Sequence, residues 1–266
     1  MNHLKELKKR LAGMESVVIA FSGGVDSSFL LKAASVSLPK DNILAVTAIS
    51  DTYTRSELNR AKAFAKALGI KHSLIFTDEM KDKNFTANPA DRCYYCKKKL
   101  FTRLKEIAVK KGFRFVLDAS NLDDKKDYRP GTRAKKEIGV RSPLQETGFF
   151  KDDIRKHSRK MRLKTWSLPP MPCLASRIPY GDEISKAALK RIEKAEDFIR
   201  SLRIRDVRVR CHGDVARIEV DKKYIKRFLN QRFCDRIIAR LKKLGFKYIT
   251  LDLQGYRIGS LNEALK

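Results

Sequence analysis

Residues 22–28 read Ser-Gly-Gly-Val-Asp-Ser-Ser and follow an apolar, β-branched run, SVVIAF (16–21). A strand that runs into glycines and then opens a helix suits a phosphate. Backbone N–H groups converge there, and the helix N-terminus adds partial positive charge. Gly23 and Gly24 permit a tight turn and close approach of main chain to the anion. Ser22, Ser27 and Ser28 add hydroxyl donors around Val25. Asp26 would repel a phosphate unless a cation stands between them, so it implies Mg²⁺. The lysine that a G-x-x-x-x-G-K-[ST] loop sends to the β- and γ-phosphates is absent. The loop therefore suits pyrophosphate as a leaving group. ATP is cut between its α- and β-phosphates, and AMP passes to a substrate oxygen, making a carboxylate or amide electrophilic.

The nucleophile that attacks such an adenylate is sought among five cysteines, Cys93, Cys96, Cys173, Cys211 and Cys234. An odd number in a chain read as cytoplasmic, where thiols stay reduced, argues against a disulfide framework. Cys93 and Cys96 form C-Y-Y-C at the start of an expected helix. There both sulfurs can face one metal or cluster, and the helix N-terminus lowers thiol pKa. Cys173 lies in SLPPMPCLASRIPYGD (167–182), whose four prolines exclude helix and central strand. That segment is read as a fixed loop presenting the thiol. A tetrahedral zinc site would need two ligands beyond the CxxC, and no second CxxC exists. Three cysteines instead suit a [4Fe–4S] cluster with one iron left without a protein ligand, open to a labile sulfide. Structural zinc and independent thiols remain open alternatives. Cys211 shares a strand face with Val207 and Val209 in DVRVRCH, and Cys234 lies in a helical FCDRIIARL; both read as packing. On the opposite strand face Arg208 and Arg210 can clamp a phosphate, or form a solvated edge.

The elements that must position these groups alternate in the front half. Strands are expected at 16–21, 43–50, 71–76 and 113–120. Helices are expected from Asp26, in SELNRAKAFAKALG and in DRCYYCKKKLFTRLKEIAVKKG. Such alternation predicts an α/β fold, a doubly wound parallel sheet, with ATP-contacting backbone near Ala48 at the end of the second strand. NLDDKKDYRPGTRAKKEIG (121–139) is expected to be a polar loop, its Asp123 and Asp124, like Asp118, capping turns or supporting Mg²⁺. After a helix at DDIRKHSRKMR the pattern becomes a smaller α+β unit: a helix, two strands, a helix and a last strand, KYITLDL. The division is placed at 1–165 and 166–266.

The 266 residues carry 59 basic and 31 acidic side chains, a net +28. Such an excess attracts polyanions, unless it is a solvated surface of ordinary helices. At 42% apolar residues a folded globule is expected, and no run is apolar long enough to span a bilayer. The N-terminal MNHLKELKKRLAGME reads as an amphipathic basic helix lacking the apolar core of a secretory signal.

SGGVDSS after a strand resembles the signature of the PP-loop ATP pyrophosphatase superfamily. RCYYCKKKLF, NLDDKKDYRPGTRAKKEIG, SPLQETGFFKDDIR, PCLASRIPYG, VRVRCHGDVARIEV and LGFKYITLDLQGYRIGSLNEAL resemble the LarE family, nearly end to end. That family comprises ATP-dependent sulfur transferases of nickel-pincer cofactor biosynthesis. The resemblance implies adenylation of a pyridinium-3,5-dicarboxylate mononucleotide and displacement of AMP by sulfur. It implies Cys173 as the sulfur-carrying residue, Arg208 and Arg210 as holders of the substrate phosphate, and Ser176 and Arg177 as site lining. Members with the extra CxxC resemble cluster-dependent, catalytic transferases, so Cys93, Cys96 and Cys173 are the implied [4Fe–4S] ligands. The expected cofactors are ATP, Mg²⁺ and that cluster. The expected partners are a small mononucleotide, an unidentified sulfur donor and further copies of the chain. Rival readings are a PP-loop tRNA-thiolating enzyme, an amide-forming enzyme of the same superfamily, and a basic nucleotide- or RNA-binding module. No appended RNA-binding module and no glutaminase-like region is apparent.

Overall fold

The computed structural model describes residues 3–125, 130–257 and 259–265. The chain forms two compact units: Met1–Asp78 with Asp91–Met171, and Glu79–Ala90 with Pro172–Lys266. The first contains α1 (His3–Ala12), β1 (Val17–Ala20), α2 (Val25–Ser35), β2 (Ile43–Ile49), α3 (Arg55–Leu68) and β3 (Lys71–Phe76). The chain then lends the short α4 (Lys83–Thr86) to the second unit. It returns as α5 (Arg92–Lys111), β4 (Phe115–Leu117), α6 (Gly131–Ile138), α7 (Pro143–Glu146) and α8 (Lys151–Lys160).

Among the described residues the four strands of this unit form one parallel sheet in the order β3-β2-β1-β4. Alternate residues divide between two cores, as the pleat requires. Val17, Ile19, Ile43 and Ala45 pack with Leu7, Leu11, Phe29, Leu30, Ala61 and Ala65 from α1, α2 and α3. Val18, Leu44 and Val46 pack with Phe101, Leu104 and Ala108 of α5. Helices thus cover both faces, and the chain reverses direction about β1. That is the switch point beside which open α/β sheets bind ligands, at the carboxyl ends of their strands. The residues after β1 are SGGVDSS.

The segment 121–139 departs from the expected polar loop. Gly131–Ile138 is helical, begun after Pro130 and closed by Gly139 at φ 75. Proline preorganises a first turn and a left-handed glycine ends a helix. Ala134 is buried, and the Arg133 guanidinium stacks 3.7 Å from the Tyr94 ring centre of α5. Residues 126–129, the front of the DYRPG motif, lie outside the described residues.

The second unit contains α4, α9 (Lys186–Ser201), β5 (Val207–His212), β6 (Val215–Val220), α10 (Lys222–Ile225), α11 (Gln231–Lys243) and β7 (Tyr248–Leu251). β5 and β6 pair antiparallel around Gly213 (φ 57), and β7 joins β6 in parallel. Ser185 caps α9 by accepting from the Ala188 amide, and Asn230 caps α11 through Phe233. The borrowed segment 79–90 is bound by Asn88, which is fully buried. Its side-chain amide donates to the carbonyls of Pro179 (2.5 Å) and Asp182 (2.9 Å), and its own carbonyl accepts from the Gly181 amide. Asn88 thereby fixes the end of the proline-rich loop. Asn88→Ala leaves those carbonyls unpartnered away from water and is expected to cost about 2–3 kcal/mol, read by urea denaturation. An unchanged midpoint contradicts the assignment.

Candidate active site

The loop between β1 and α2 is held from several sides. Gly23 adopts φ +68, and a Cβ there would lie 3.0 Å from the backbone Cα and N of Ala61 in α3. Both facts restrict the position to glycine. The Arg60 Nε donates to the Gly23 carbonyl at 3.1 Å, and the Tyr53 hydroxyl donates to the Ser22 carbonyl. Burial, seconded by Glu57, pushes the Tyr53 phenol up, so it stays a donor. Thr54 starts α3 with a reciprocal box: its Oγ1 accepts from the Glu57 amide while Glu57 accepts from the Thr54 amide. α3 is thereby seated against the turn.

Inside the loop the Ser22 amide donates to Ser27 Oγ at 3.3 Å, and the Gly24 amide to Ser22 Oγ at 3.4 Å. These bonds are long, and a phosphate oxygen can replace them. Ser28 is fully buried and its hydroxyl has no hydrogen-bond partner. Asp26 lies in the first turn of α2; its Oδ2 accepts from Lys151 Nζ at 2.5 Å, and its Oδ1 is buried without a hydrogen-bond partner. Beyond Val46 the β2 ladder with β1 stops, while pairing with β3 runs on to Ile49. Ala48 therefore lies on a β2 edge that opens past the end of β1.

The aspartates after β4 hold structure. Asp123 accepts from the Lys151 amide at 2.8 Å, and Asp124 from the Asn121 amide at 2.9 Å. Asp118 accepts from the hydroxyls of Ser120 and Ser142, both at 2.5 Å. All three thus make the hydrogen bonds of the capping alternative.

Cys93 and Cys96 occupy the first turns of α5, Cys93 exposed and Cys96 half-buried. In the second unit Cys173 is exposed at the start of a 3₁₀ turn, Leu174–Arg177. Among the described residues no three Cys, His, Asp or Glu side chains are grouped as a metal site. Cys211 is buried and accepts from Arg191, and the Cys234 thiol donates to the Phe228 carbonyl at 2.9 Å. Both therefore pack, as their strand and helix patterns predict.

The turn that carries Cys173 is gripped by two buried arginines. Arg177 Nη1 donates to the carbonyls of Pro172 (2.7 Å) and Cys173 (3.2 Å), while its Nε and Nη2 form a fork with Glu196 at 2.8 and 3.0 Å. Arg210 donates to the Ser176 carbonyl at 2.5 Å and to Ser260, and makes its own fork with Glu219, both bonds 2.9 Å. Arg208 is 3% exposed, lies over the Tyr256 ring and donates to the Val207 carbonyl. Residues of both faces of β5 are thus buried, and the solvated-edge alternative for Arg208 and Arg210 is corrected: both side chains are buried, Arg210 is paired with Glu219 of β6, and Glu196 of α9 lies near Arg208. Desolvation lowers the Arg208 pKa, with Arg177 acting in the same direction. Glu196 is fully buried; burial opposes its ionisation, but Arg177, then Arg200 and Arg208, hold its carboxyl down at about 2. The sequence pattern did not single out Glu196, Glu219, Asn88 or Lys151. A Glu inside an amphipathic helix, such as Glu196, looks like any solvated charge.

A parallel sheet with a lysine-free glycine-serine-aspartate loop at its switch point is the architecture of the PP-loop fold. The NAD synthase family model matches residues 2–103. An uncharacterized protein of Synechocystis sp. is 41% identical over 98% of this chain and 97% of its own length. The pyridinium-3,5-bisthiocarboxylic acid mononucleotide synthase of Lactiplantibacillus plantarum is 40% identical, covering 96% of this chain and 92% of that protein. An uncharacterized protein of Methanocaldococcus jannaschii is 32% identical over 96% and 95%. The chain belongs to the LarE family of ATP-dependent sulfur transferases. No helix among the described residues is long and apolar enough to cross a membrane.

The depressed Glu196 sets an acid limit. Its folded pKa of about 2 lies below the ordinary 4.5. Its ionic contribution is therefore complete above about pH 4.5 and is lost as pH falls toward 2. Denaturation across that window is expected to show stability falling with acid, and a smaller slope in Glu196→Gln. Equal slopes in both proteins contradict the assignment.

Proposed function

We propose that this chain activates a carboxylate of a pyridinium-3,5-dicarboxylate mononucleotide with ATP and converts it to a thiocarboxylate. The observation that carries the reading is the pairing, in one chain, of a pyrophosphate-type loop with an exposed, rigidly held Cys173. The substrate class is taken from the name of the Lactiplantibacillus plantarum relative, whose 40% identity over 96% of this chain favours a small mononucleotide over tRNA. That name specifies two thiocarboxylates, which requires two rounds of activation and transfer.

In each round a carboxylate oxygen attacks the α-phosphorus and the bond to pyrophosphate breaks, leaving an acyl adenylate. The amides of Gly23, Gly24 and Val25 and the hydroxyls of Ser22, Ser27 and Ser28 hold the departing pyrophosphate as its charge grows. The edge of β2 at Ala48 receives the adenine. Asp26, with a buried and unpartnered Oδ1, fits a Mg²⁺ ion, which when bound offsets phosphate charge. A sulfide presented beside Cys173 then adds to the acyl carbon, the bond from that carbon to the AMP oxygen breaks, and the thiocarboxylate leaves with that sulfur. Ser176 and Arg177 hold the turn that fixes where Cys173 stands.

Arg177, Arg200 and Arg208 face Glu196, and Arg210 and Arg217 face Glu219. The substrate phosphate is assigned to the neighbourhood of Arg208 and Arg210, whose guanidinium groups suit a phosphate. Cys93, Cys96 and Cys173 supply the number and type of donors that a [4Fe–4S] cluster with one open iron takes, and Cys93 and Cys173 are exposed. Such a cluster, when bound, would supply the sulfide that is transferred. Exposed Leu229, Leu253 and Tyr248 suit contact between copies of the chain, which sedimentation velocity tests.

Two variants separate the half-reactions. Cys173→Ser is expected to release pyrophosphate when given ATP and the dicarboxylate but to form no thiocarboxylate. Asp26→Ala is expected to lose pyrophosphate release by at least about 100-fold. Anaerobically purified wild type is expected to carry iron and sulfide that Cys93→Ala lacks. Pyrophosphate release that is unchanged in Asp26→Ala, or thiolation surviving in Cys173→Ser, contradicts the reading.

A further inference from the structure

The parallel ladder between β1 and β2 ends sooner than the course of the chain requires, and a side chain is the cause. In parallel pairing the amide and carbonyl of one residue bond to the two residues that flank its partner. Phe21 lies one step past Ala20, whose partner is Val46, so its own partner is Thr47 and its bonds fall to Val46 and Ala48. The first bond is made: the Phe21 amide donates to the Val46 carbonyl at 2.8 Å. The second is replaced. The Phe21 carbonyl accepts from the Thr47 hydroxyl at 2.6 Å, and the register of β1 with β2 stops at Ala20 and Val46. Phe21 and Thr47 are both buried, so that carbonyl needs a protein donor. The hydroxyl is itself fixed in direction. Its proton goes to Phe21, so His72 Nε2, 2.8 Å away on β3, is the donor to it. The His72 ring packs edge-on against the Phe21 ring, with centres 5.8 Å apart.

The consequence falls on Ala48. Main-chain groups of alternate residues in a strand point to the same side. The Val46 carbonyl faces β1, so the amide and carbonyl of Ala48 face that way too, while Ile49 faces β3 and accepts from the Thr77 amide at 3.0 Å. With the Phe21 carbonyl taken by Thr47, Ala48 keeps both groups unclaimed by β1, next to the start of the glycine loop. A donor and an acceptor side by side match adenine, which carries an N6 donor beside a ring-nitrogen acceptor. Guanine has an acceptor oxygen in place of that donor. We infer that Thr47 is a positioning residue for the nucleotide base: its hydroxyl, directed by His72, holds the Phe21 carbonyl off the Ala48 amide and so keeps the adenine-reading edge of β2 open. Thr47 is itself buried and acts through Ala48. Valine has nearly the same shape without the hydroxyl. With valine at 47 the Phe21 carbonyl takes the Ala48 amide as its donor, the ladder gains a bond, and the edge closes. The inference rests on the β2 edge receiving adenine, as proposed above.

The test is calorimetric titration of AMP, of GMP, and of pyrophosphate with Mg²⁺, into wild type, Thr47→Val and Thr47→Ser. Wild type is expected to bind AMP at least about 10-fold more tightly than GMP. In Thr47→Val the AMP affinity is expected to fall roughly 10-fold, as for a hydrogen bond lost to a competing partner, while pyrophosphate affinity stays within about threefold. Thr47→Ser keeps the hydroxyl and is expected to keep the preference for AMP. Wild type without that preference, a Thr47→Val protein with the wild-type ratio of AMP to GMP affinity, or equal losses of AMP and pyrophosphate overturn the inference; equal losses are what a general disturbance of the fold gives. Wild type that binds none of the three refutes the loop assignment itself and the inference with it, which distinguishes the two failures. Should Thr47→Val not fold, amide hydrogen exchange in the unaltered chain, followed by NMR, decides. The Ala48 amide is expected to exchange faster than the Phe21 amide in the empty protein, and to slow at least about 10-fold with AMP but not with pyrophosphate. An Ala48 amide as protected as that of Phe21 without nucleotide, or unchanged by AMP, overturns the inference.

Discussion

The nucleotide unit depends on a single backbone constraint, the left-handed turn at Gly23. β1 is paired on both edges and ends at Ala20, so the chain must leave the sheet within a few residues and begin α2 at Val25. A turn that tight, pressed against the backbone of Ala61, excludes any side chain at Gly23. The same turn leaves amides of the loop in long, replaceable bonds to serine hydroxyls. Packing and the anion site proposed for this loop therefore have one cause. What seats α3 against the turn, notably the Thr54–Glu57 box, also shapes the site.

The second unit solves a different problem, holding one thiol still without enclosing it. Backbone carbonyls around Cys173 are bound by guanidinium groups whose charge is balanced by Glu196 and Glu219. Burying such pairs is costly in stability, and well-packed apolar residues would do better on that count. Geometry is what they supply: a forked arginine fixes both its carboxylate and the carbonyls beyond it. The unit thus has a rigid, charged interior under a reactive loop.

Much of this was legible in the residues. The strands at 17–20, 43–49 and 71–76 were marked by β-branched and apolar runs between turn signals, and the parallel order followed from their alternation with helices. The glycine loop was legible because its residue types have few other uses together. The helix Gly131–Ile138 was hidden by lysines and by the Pro-Gly pair, which signals a turn when read locally but here starts a helix packed on Tyr94. The alternation of DVRVRCH puts Arg208 and Arg210 on one strand face, but alternation alone does not reveal that this face too is buried and that Arg210 is paired with Glu219. Lys151 and Asn88 act over 125 and 91 positions of sequence, distances no local pattern encodes.

In the proposed reaction ATP is cleaved at its α-phosphorus by an oxygen of the substrate carboxylate. That step is tested most directly with pyridinium-3,5-dicarboxylate mononucleotide carrying ¹⁸O in its carboxylates, followed by mass spectrometry of the AMP formed. One labelled oxygen per AMP is the predicted result. AMP without label, from material that forms thiocarboxylate, would contradict it.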